Sequence, residues 1–77
     1  MPRTIQDDDL LLWEVYAAAP RAAKGRGARI VFHCLSDPER RARVTENDAD
    51  RTATEKWIAG ASDAELRKLL DAAERLD

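Results

Sequence analysis

The sequence predicts a small α+β domain built in the order helix, β-hairpin, helix, helix. A run of β-branched and aromatic side chains over residues 30–35 is followed by the turn-forming residues 36–38, a pattern typical of a buried strand. The segments on either side are rich in alanine and leucine, with apolar residues at helical spacing. A mostly helical domain with one short strand is the alternative that these patterns leave open.

The chain is predicted to form a single domain over residues 8–77, after a disordered tail over residues 1–7 that shows no periodicity. A chain of this length buries only about 60% of the surface that its unfolded form exposes. Its one cysteine excludes an intrachain disulfide, and the sequence has no Cys/His cluster for a structural zinc. Helix packing or self-association therefore has to supply the stability.

The first helix is predicted over residues 8–19. Four apolar residues recur at the spacing of one helical face: Leu12, Val15, Tyr16 and Ala19. Aspartates at residues 7–9 precede the pattern, and carboxylates there complement the positive end of a helix dipole. The helix should end before Pro20, because a residue that precedes proline is driven out of the α region.

A strand is predicted over residues 29–35, and both of its faces are apolar, so it should be central or covered on both sides. Residues 40–46 alternate in polarity, which favours a second strand joined to the first through a turn that contains Pro38. Ser-Asp-Pro-Glu is also a good helix start, so a helix over residues 37–46 stays open. We favour the hairpin, because a lone strand cannot satisfy its backbone hydrogen-bonding groups.

Two helices are predicted in the C-terminal part. The first runs over residues 51–60 and is ended by Gly60. The second runs over residues 63–75 and begins with a capping box formed by Ser62 and Glu65. The residues predicted to form the core are Leu12, Val15, Tyr16, Ile30, Phe32, Trp57, Leu66, Leu69 and Leu70.

The sequence predicts neither catalysis nor a cofactor or metal site. His33 and Cys34 are neighbours on a strand, so their side chains point to opposite faces and cannot act together as base and nucleophile. The acidic residues 46–50 lack the glycine and glutamate spacing of a calcium-binding EF-hand loop. The glycines within residues 24–27 precede a strand, whereas those of a phosphate-binding loop precede a helix. We therefore predict a non-enzymatic protein.

Charge is unevenly distributed along the chain, whose net charge is −2. Residues 1–20 carry −3, residues 21–43 carry +5 and residues 44–77 carry −4. The basic segment either pairs with acidic side chains of the same chain, which we favour, or faces an anion. Nucleic-acid binding through this segment is thus the alternative function, and its candidate residues are Arg26, Arg29, Arg40, Arg41 and Arg43.

The leading interpretation is a small protein-interaction or regulatory module that associates with itself, as a homodimer, or with another protein. Leu10, Leu11 and Trp13 are the candidate contact residues, and Trp13 is predicted to be the more exposed of the two tryptophans. No apolar stretch approaches the roughly 18 residues of a membrane helix. The N-terminal residues lack the features of a signal peptide. Together with the single thiol, these features predict a cytoplasmic protein without membrane contact.

Overall fold

The computed structural model describes residues 3–19 and 27–75. A five-stranded antiparallel sheet packs with one face against two α-helices. In chain order the elements are β1 Arg3–Gln6, β2 Leu12–Ala18, β3 Arg29–Cys34, β4 Arg43–Glu46, α1 Arg51–Gly60, α2 Asp63–Ala72 and β5 Glu74–Arg75. The strand order in the sheet equals the chain order, so each strand pairs with the strand before or after it in sequence.

The predicted order of helix, hairpin, helix, helix is wrong, because the segment predicted as the first helix forms strand β2. This strand pairs antiparallel with both β1 and β3, and Val15 lies opposite Arg3 on one side and Phe32 on the other. Trp13, Val15 and Ala17 are buried and the residues between them are not, which is the alternation of a strand with one covered face. The alternative of a mostly helical domain with one short strand is wrong for the same reason.

Residues Arg3–Gln6, predicted as part of a disordered tail over 1–7, form strand β1. Ile5 of this strand is buried in the core. The Arg3 guanidinium contacts three groups around the junction of the two helices, namely the carbonyl oxygens of Ile58 and Ala61 and the Asp63 carboxylate. These contacts hold β1 to the helices, so this part of the predicted tail is ordered.

The predicted hairpin is confirmed by the antiparallel pairing of β3 with β4, in which Val31 lies opposite Val44. Strand β4 begins three residues later than predicted, because a turn precedes it. The Asp37 carboxylate accepts the backbone N–H of Glu39 at 3.1 Å, and the Asp37 carbonyl accepts that of Arg40 at 3.1 Å. Residues 37–46 therefore contain a turn and a strand, and no part of them is helical.

Both predicted C-terminal helices are confirmed. The Asp50 carboxylate caps α1 by accepting a backbone N–H of its first turn at 2.8 Å. The Ser62 hydroxyl caps α2 by accepting the N–H of Glu65 at 3.2 Å, which is one of the two hydrogen bonds of the predicted capping box. Helix α2 ends at Ala72, three residues earlier than predicted, and the chain then forms β5 along β4.

The core lies between the sheet and the helices and consists of Ile5, Trp13, Val15, Ala17, Ile30, Phe32, Cys34, Ile58, Ala61, Leu66 and Leu70. Five predicted core residues are confirmed as buried: Val15, Ile30, Phe32, Leu66 and Leu70. Tyr16 and Leu69 are half-buried. Leu12 and Trp57 are 42% and 40% exposed, so their predicted burial is wrong. For Leu12 the reason is that a strand directs it to the face opposite Trp13.

Candidate functional site

The face of the sheet opposite the core, hereafter the outer face, carries the candidate functional site. Side chains alternate along a strand, so the residues between the core positions of β2, β3 and β4 share this face. They include Leu12, Glu14, Tyr16, Val31, His33, Val44 and, just after β3, Leu35. The outer face thus combines apolar side chains with a small number of titratable ones.

Two leucines form a cross-strand pair at one end of the outer face. The Leu35 N–H donates to the Leu12 carbonyl oxygen at 2.8 Å, which places the two side chains side by side. Leu12 is 42% exposed and Leu35 is 47% exposed. Leu10, in the turn between β1 and β2, is 73% exposed and has a φ of 66°. A left-handed conformation is unfavourable for leucine, so neither burial nor backbone geometry explains a leucine at this position.

A row of apolar residues continues the outer face across three strands. Tyr16 of β2 lies opposite Val31 of β3, and Val31 lies opposite Val44 of β4. Val31 is buried, and Tyr16 and Val44 are half-buried. Cross-strand contacts of this kind stabilise the sheet itself, so this row has a structural role.

A groove of about 430 Å³ is lined by residues of β2, β3 and helix α1, and it includes three residues of the outer face. Its lining consists of Glu14, Tyr16, Ala17, His33, Arg51, Glu55 and Ile58. Glu14 and His33 are opposite each other on β2 and β3, and Arg51 forms an ion pair with Glu55 at 3.3 Å. Both signs of charge are therefore interspersed in the groove, which gives it no strong attraction for a polyanion.

The structure separates the three predicted contact residues. Leu10 is exposed, Leu11 is partly buried against the core, and Trp13 is only 1% exposed. The predicted exposure of Trp13 is wrong, because β2 turns its indole toward the helices and turns Leu12 outward. Leu12 and Leu35 were not predicted as contact residues, because they become neighbours only through the alignment of β2 with β3.

The carboxylate of Asp7 organises the turn that carries Leu10. One oxygen accepts the backbone N–H groups of Asp9 and Leu11, each at 2.9 Å, and the other accepts the indole N–H of Trp13 at 2.7 Å. Burial raises the pKa of the Asp7 carboxyl, but these hydrogen bonds together outweigh it and hold that pKa below its usual 3.8. Asp7 is thus a structural anchor of the turn.

The arginines predicted to contact nucleic acid are not gathered on the outer face. Arg26 lies outside the described residues. The Arg29 guanidinium donates to the carbonyl oxygen of Ala19 at 2.8 Å, so it is engaged by the backbone rather than by an acidic side chain. These two residues give no support to a continuous basic surface.

The other three predicted arginines lie in or just before β4. The Arg43 guanidinium lies 5.5 Å from the centre of the Trp13 ring and donates to the Leu70 carbonyl oxygen at 3.1 Å. Arg40 and Arg41, in the turn before β4, are exposed. The sheet therefore brings part of the predicted set together, at an edge and not on the outer face.

Comparison with protein-family models, with curated proteins and with solved structures finds no match to this chain. Across residues 3–19 and 27–75, no helix is long and apolar enough to cross a membrane. The same residues contain no group of three or more His, Cys, Asp or Glu side chains placed to hold a metal ion. The function has to be inferred from the geometry of the chain itself.

Proposed function

We propose that this chain is a small non-enzymatic interaction module that associates with a second copy of itself through the outer face of its sheet. The observation that carries the proposal is the cross-strand pair Leu12 and Leu35, which leaves two large apolar side chains nearly half exposed. Exposed apolar surface beside polar residues is typical of protein interfaces. Leu10 adds a third exposed leucine two residues before this pair.

The charges of the groove support a second copy as the partner. Glu14 and Glu55 stand beside Arg51 and His33, so acidic and basic groups alternate over a short distance. In a two-fold symmetric dimer the same surface faces itself, and a patch with both signs of charge can place each carboxylate opposite a cation. A strongly acidic or basic partner would gain much less from this surface.

The size of the domain also supports self-association. Its accessible surface is 5372 Å². A standard interface takes about 800 Å² from each partner, which is about one seventh of that area. Because so short a chain has a small core, burial of the outer face would add apolar contacts that the core alone does not supply.

The arrangement of His33 and Glu14 on the sheet supports the proposal that the chain is not an enzyme. They lie opposite each other, yet no hydrogen bond joins their side chains, and His33 is exposed to solvent. A catalytic base is commonly oriented by a hydrogen bond to a further side chain, and Glu14, the residue opposite His33, does not provide one. His33 and Glu14 instead form a polar, solvent-accessible part of the proposed interaction surface.

The proposal is tested by sedimentation equilibrium of the parent chain and of Leu12→Lys and Leu35→Lys. We expect the parent to dimerise with little dependence on salt, because apolar contacts are not screened. Each lysine should weaken the dimer by about tenfold or more, since it removes about 1.5–3 kcal/mol of apolar burial. Trp57→Lys is the matched control, since Trp57 is also 40% exposed but lies on α1 and does not line the groove.

Circular dichroism of each variant shows that it is folded before its association is compared. A parent chain that stays monomeric at all concentrations would contradict the proposal, as would equal weakening by Trp57→Lys. A monomer that binds a mixed-sequence oligonucleotide only at low salt would favour the nucleic-acid alternative instead.

A further inference from the structure

Four arginines meet at the edge of the sheet where β4 pairs with β5. Arg43 and Arg75 lie directly opposite each other on these strands. Arg40 and Arg41 join them from the turn before β4, and together with Glu39 they line a cavity of about 230 Å³. The arginine cluster is defined here as Arg40, Arg41, Arg43 and Arg75.

The arginine cluster is electrostatically unfavourable for the chain on its own. Like charges placed opposite each other on antiparallel strands destabilise the pairing. Among the described residues, one member of the cluster forms an ion pair: the Arg40 Nε atom lies 4.0 Å from an Asp37 carboxylate oxygen. Both side chains of this pair are well exposed. The Arg40 charge also helps to lower the pKa of Asp7, but that carboxylate is already engaged by the Trp13 indole. Four positive charges thus face one lining carboxylate, in a chain whose net charge is −2.

One member of the cluster is held in a fixed orientation. The Arg43 guanidinium lies against the Trp13 ring, and one of its nitrogens donates to the Leu70 carbonyl oxygen. The indole is held in turn by the Asp7 carboxylate. A guanidinium fixed in this way keeps further N–H groups for a ligand, and its planar fork matches the oxygens of a phosphate.

We infer that the arginine cluster binds a phosphate group, either as the free ion or as part of a phosphate ester. The cavity is smaller than the roughly 300–1,000 Å³ of pockets for whole drug-sized ligands, so it suits one anionic group. None of its lining residues is aromatic, so it offers no surface on which a base could stack. The site is separate from the outer face and does not depend on self-association.

The test is a titration of the ¹⁵N-labelled chain with sodium phosphate, followed by NMR at constant ionic strength maintained with sodium chloride. We expect shift changes confined to the backbone amides of residues 39–43 and 74–75. Arg41→Gln and Arg75→Gln should each weaken phosphate binding by about tenfold, the effect of losing one charge-assisted hydrogen bond. Lys56→Gln removes one positive charge from exposed α1, away from the cavity, and should leave the affinity within about twofold.

Parallel titrations identify the source of the phosphate group. Glucose 6-phosphate that binds more tightly than inorganic phosphate indicates a small ester, with glucose as the uncharged control. A mixed-sequence oligonucleotide that binds more tightly than both, with a salt dependence equal to several phosphates, indicates a nucleic-acid backbone. Shifts that chloride alone reproduces, or equal losses in Lys56→Gln and Arg41→Gln, would overturn the inference. Thermal melting of each variant shows that the arginine substitutions leave the fold intact.

Discussion

The Asp7 carboxylate accepts three hydrogen bonds in and beside the turn between β1 and β2. It joins this turn to the buried indole of Trp13. The indole supports the Arg43 guanidinium, so a chain of contacts runs from this turn to the arginine cluster. A change at Asp7 should therefore affect both the stability of the fold and the arginine cluster.

We expect Asp7→Asn to destabilise the fold by about 1–2 kcal/mol at about pH 7, because an amide nitrogen cannot accept the indole N–H. The pKa of Asp7 is lowered in the folded state, so the stabilisation by its carboxylate is present above the usual 3.8 and is lost as the pH falls through the lower folded value. Urea unfolding at several pH values measures both effects.

Asp8→Asn is the matched control for Asp7→Asn, since the described structure shows no hydrogen bond to the Asp8 side chain. It removes the same charge from the same turn. If Asp8→Asn lowered the free energy of unfolding as much as Asp7→Asn, net charge and not the hydrogen bonds would explain the loss. If the acid-induced loss of stability were the same in Asp7→Asn and in the parent, the role given to the carboxylate would be wrong.

At the scale of elements, β2 shows why the sequence predicted a helix where the chain forms a strand. Its apolar residues satisfy a helical spacing, but Trp13, Val15 and Ala17 also satisfy the two-residue period of a strand. Leu12 and Tyr16 are apolar on the outer face, which hides the alternation. The pairing of β2 with β1 and β3 favours the strand over the helix, and the local sequence pattern alone does not distinguish them.

The sequence of β3 itself indicated that a further strand such as β2 had to exist. Both faces of β3 are apolar, which predicts a central strand, and a central strand needs a partner on each side. The hairpin supplied β4 alone, so a second partner had to come from elsewhere in the chain. Helix caps, in contrast, were predicted correctly at Ser62, because a cap depends on residues three positions apart.

Two glycines have opposite roles in their elements, and substituting alanine distinguishes them. A Cβ atom at Gly27 would overlap the backbone carbonyl of Asn47, where the start of β3 meets the end of β4. We expect Gly27→Ala to destabilise the fold by about 3 kcal/mol or more, because the backbone itself has to move. Gly60 lies in the last turn of α1 with no atom near its Cβ position, and Gly60→Ala should stabilise by about 0.5–1 kcal/mol.

Thermal unfolding of the two glycine variants gives the comparison directly. The Gly27 prediction also implies loss of the hydrogen bonds that join Ala28 to Asn47 and Ala49, which amide hydrogen exchange detects. Equal melting temperatures for the two variants would show that the close approach at Gly27 does not constrain the sheet.

At the scale of the whole molecule, stability depends on a single core that lies between one face of the sheet and the two helices. Helical spacing alone gives Leu69 and Leu70 equal weight, but Leu70 is fully buried and Leu69 is half-buried at its margin. We expect Leu70→Ala to cost about 2–5 kcal/mol, a large part of the stability of so small a domain. Leu69→Ala is the matched control and should cost clearly less. Chemical denaturation measures both, and a larger loss for Leu69→Ala would contradict the arrangement of α2 on the sheet.

The candidate sites could be predicted from the sequence only in part. Leu10 was predicted as a contact residue on a helix, whereas the structure places it, exposed, in the turn between β1 and β2. Leu12 and Leu35 become a pair only when β2 and β3 align. The arginine cluster needs Arg75, which reaches Arg43 through the short strand β5 at a separation that no local pattern records. The sequence did not show which distant strands pair. That pairing depends on which faces of the strands are buried together in the folded chain.

The two outer strands of the sheet limit how the chain can aggregate. Over the described residues, one edge consists of the four residues of β1 and, beyond them, residues 16–18 of β2, and the other consists of the two residues of β5 and, beyond them, residues 45–46 of β4. An edge strand is a template for the growth of fibrils in proportion to its row of unpaired N–H and C=O groups, and charged residues weaken it further. Arg3, Glu74 and Arg75 place charge on both edges. Stacking of chains edge to edge is thereby disfavoured, so the proposed association through the outer face would end at a closed pair.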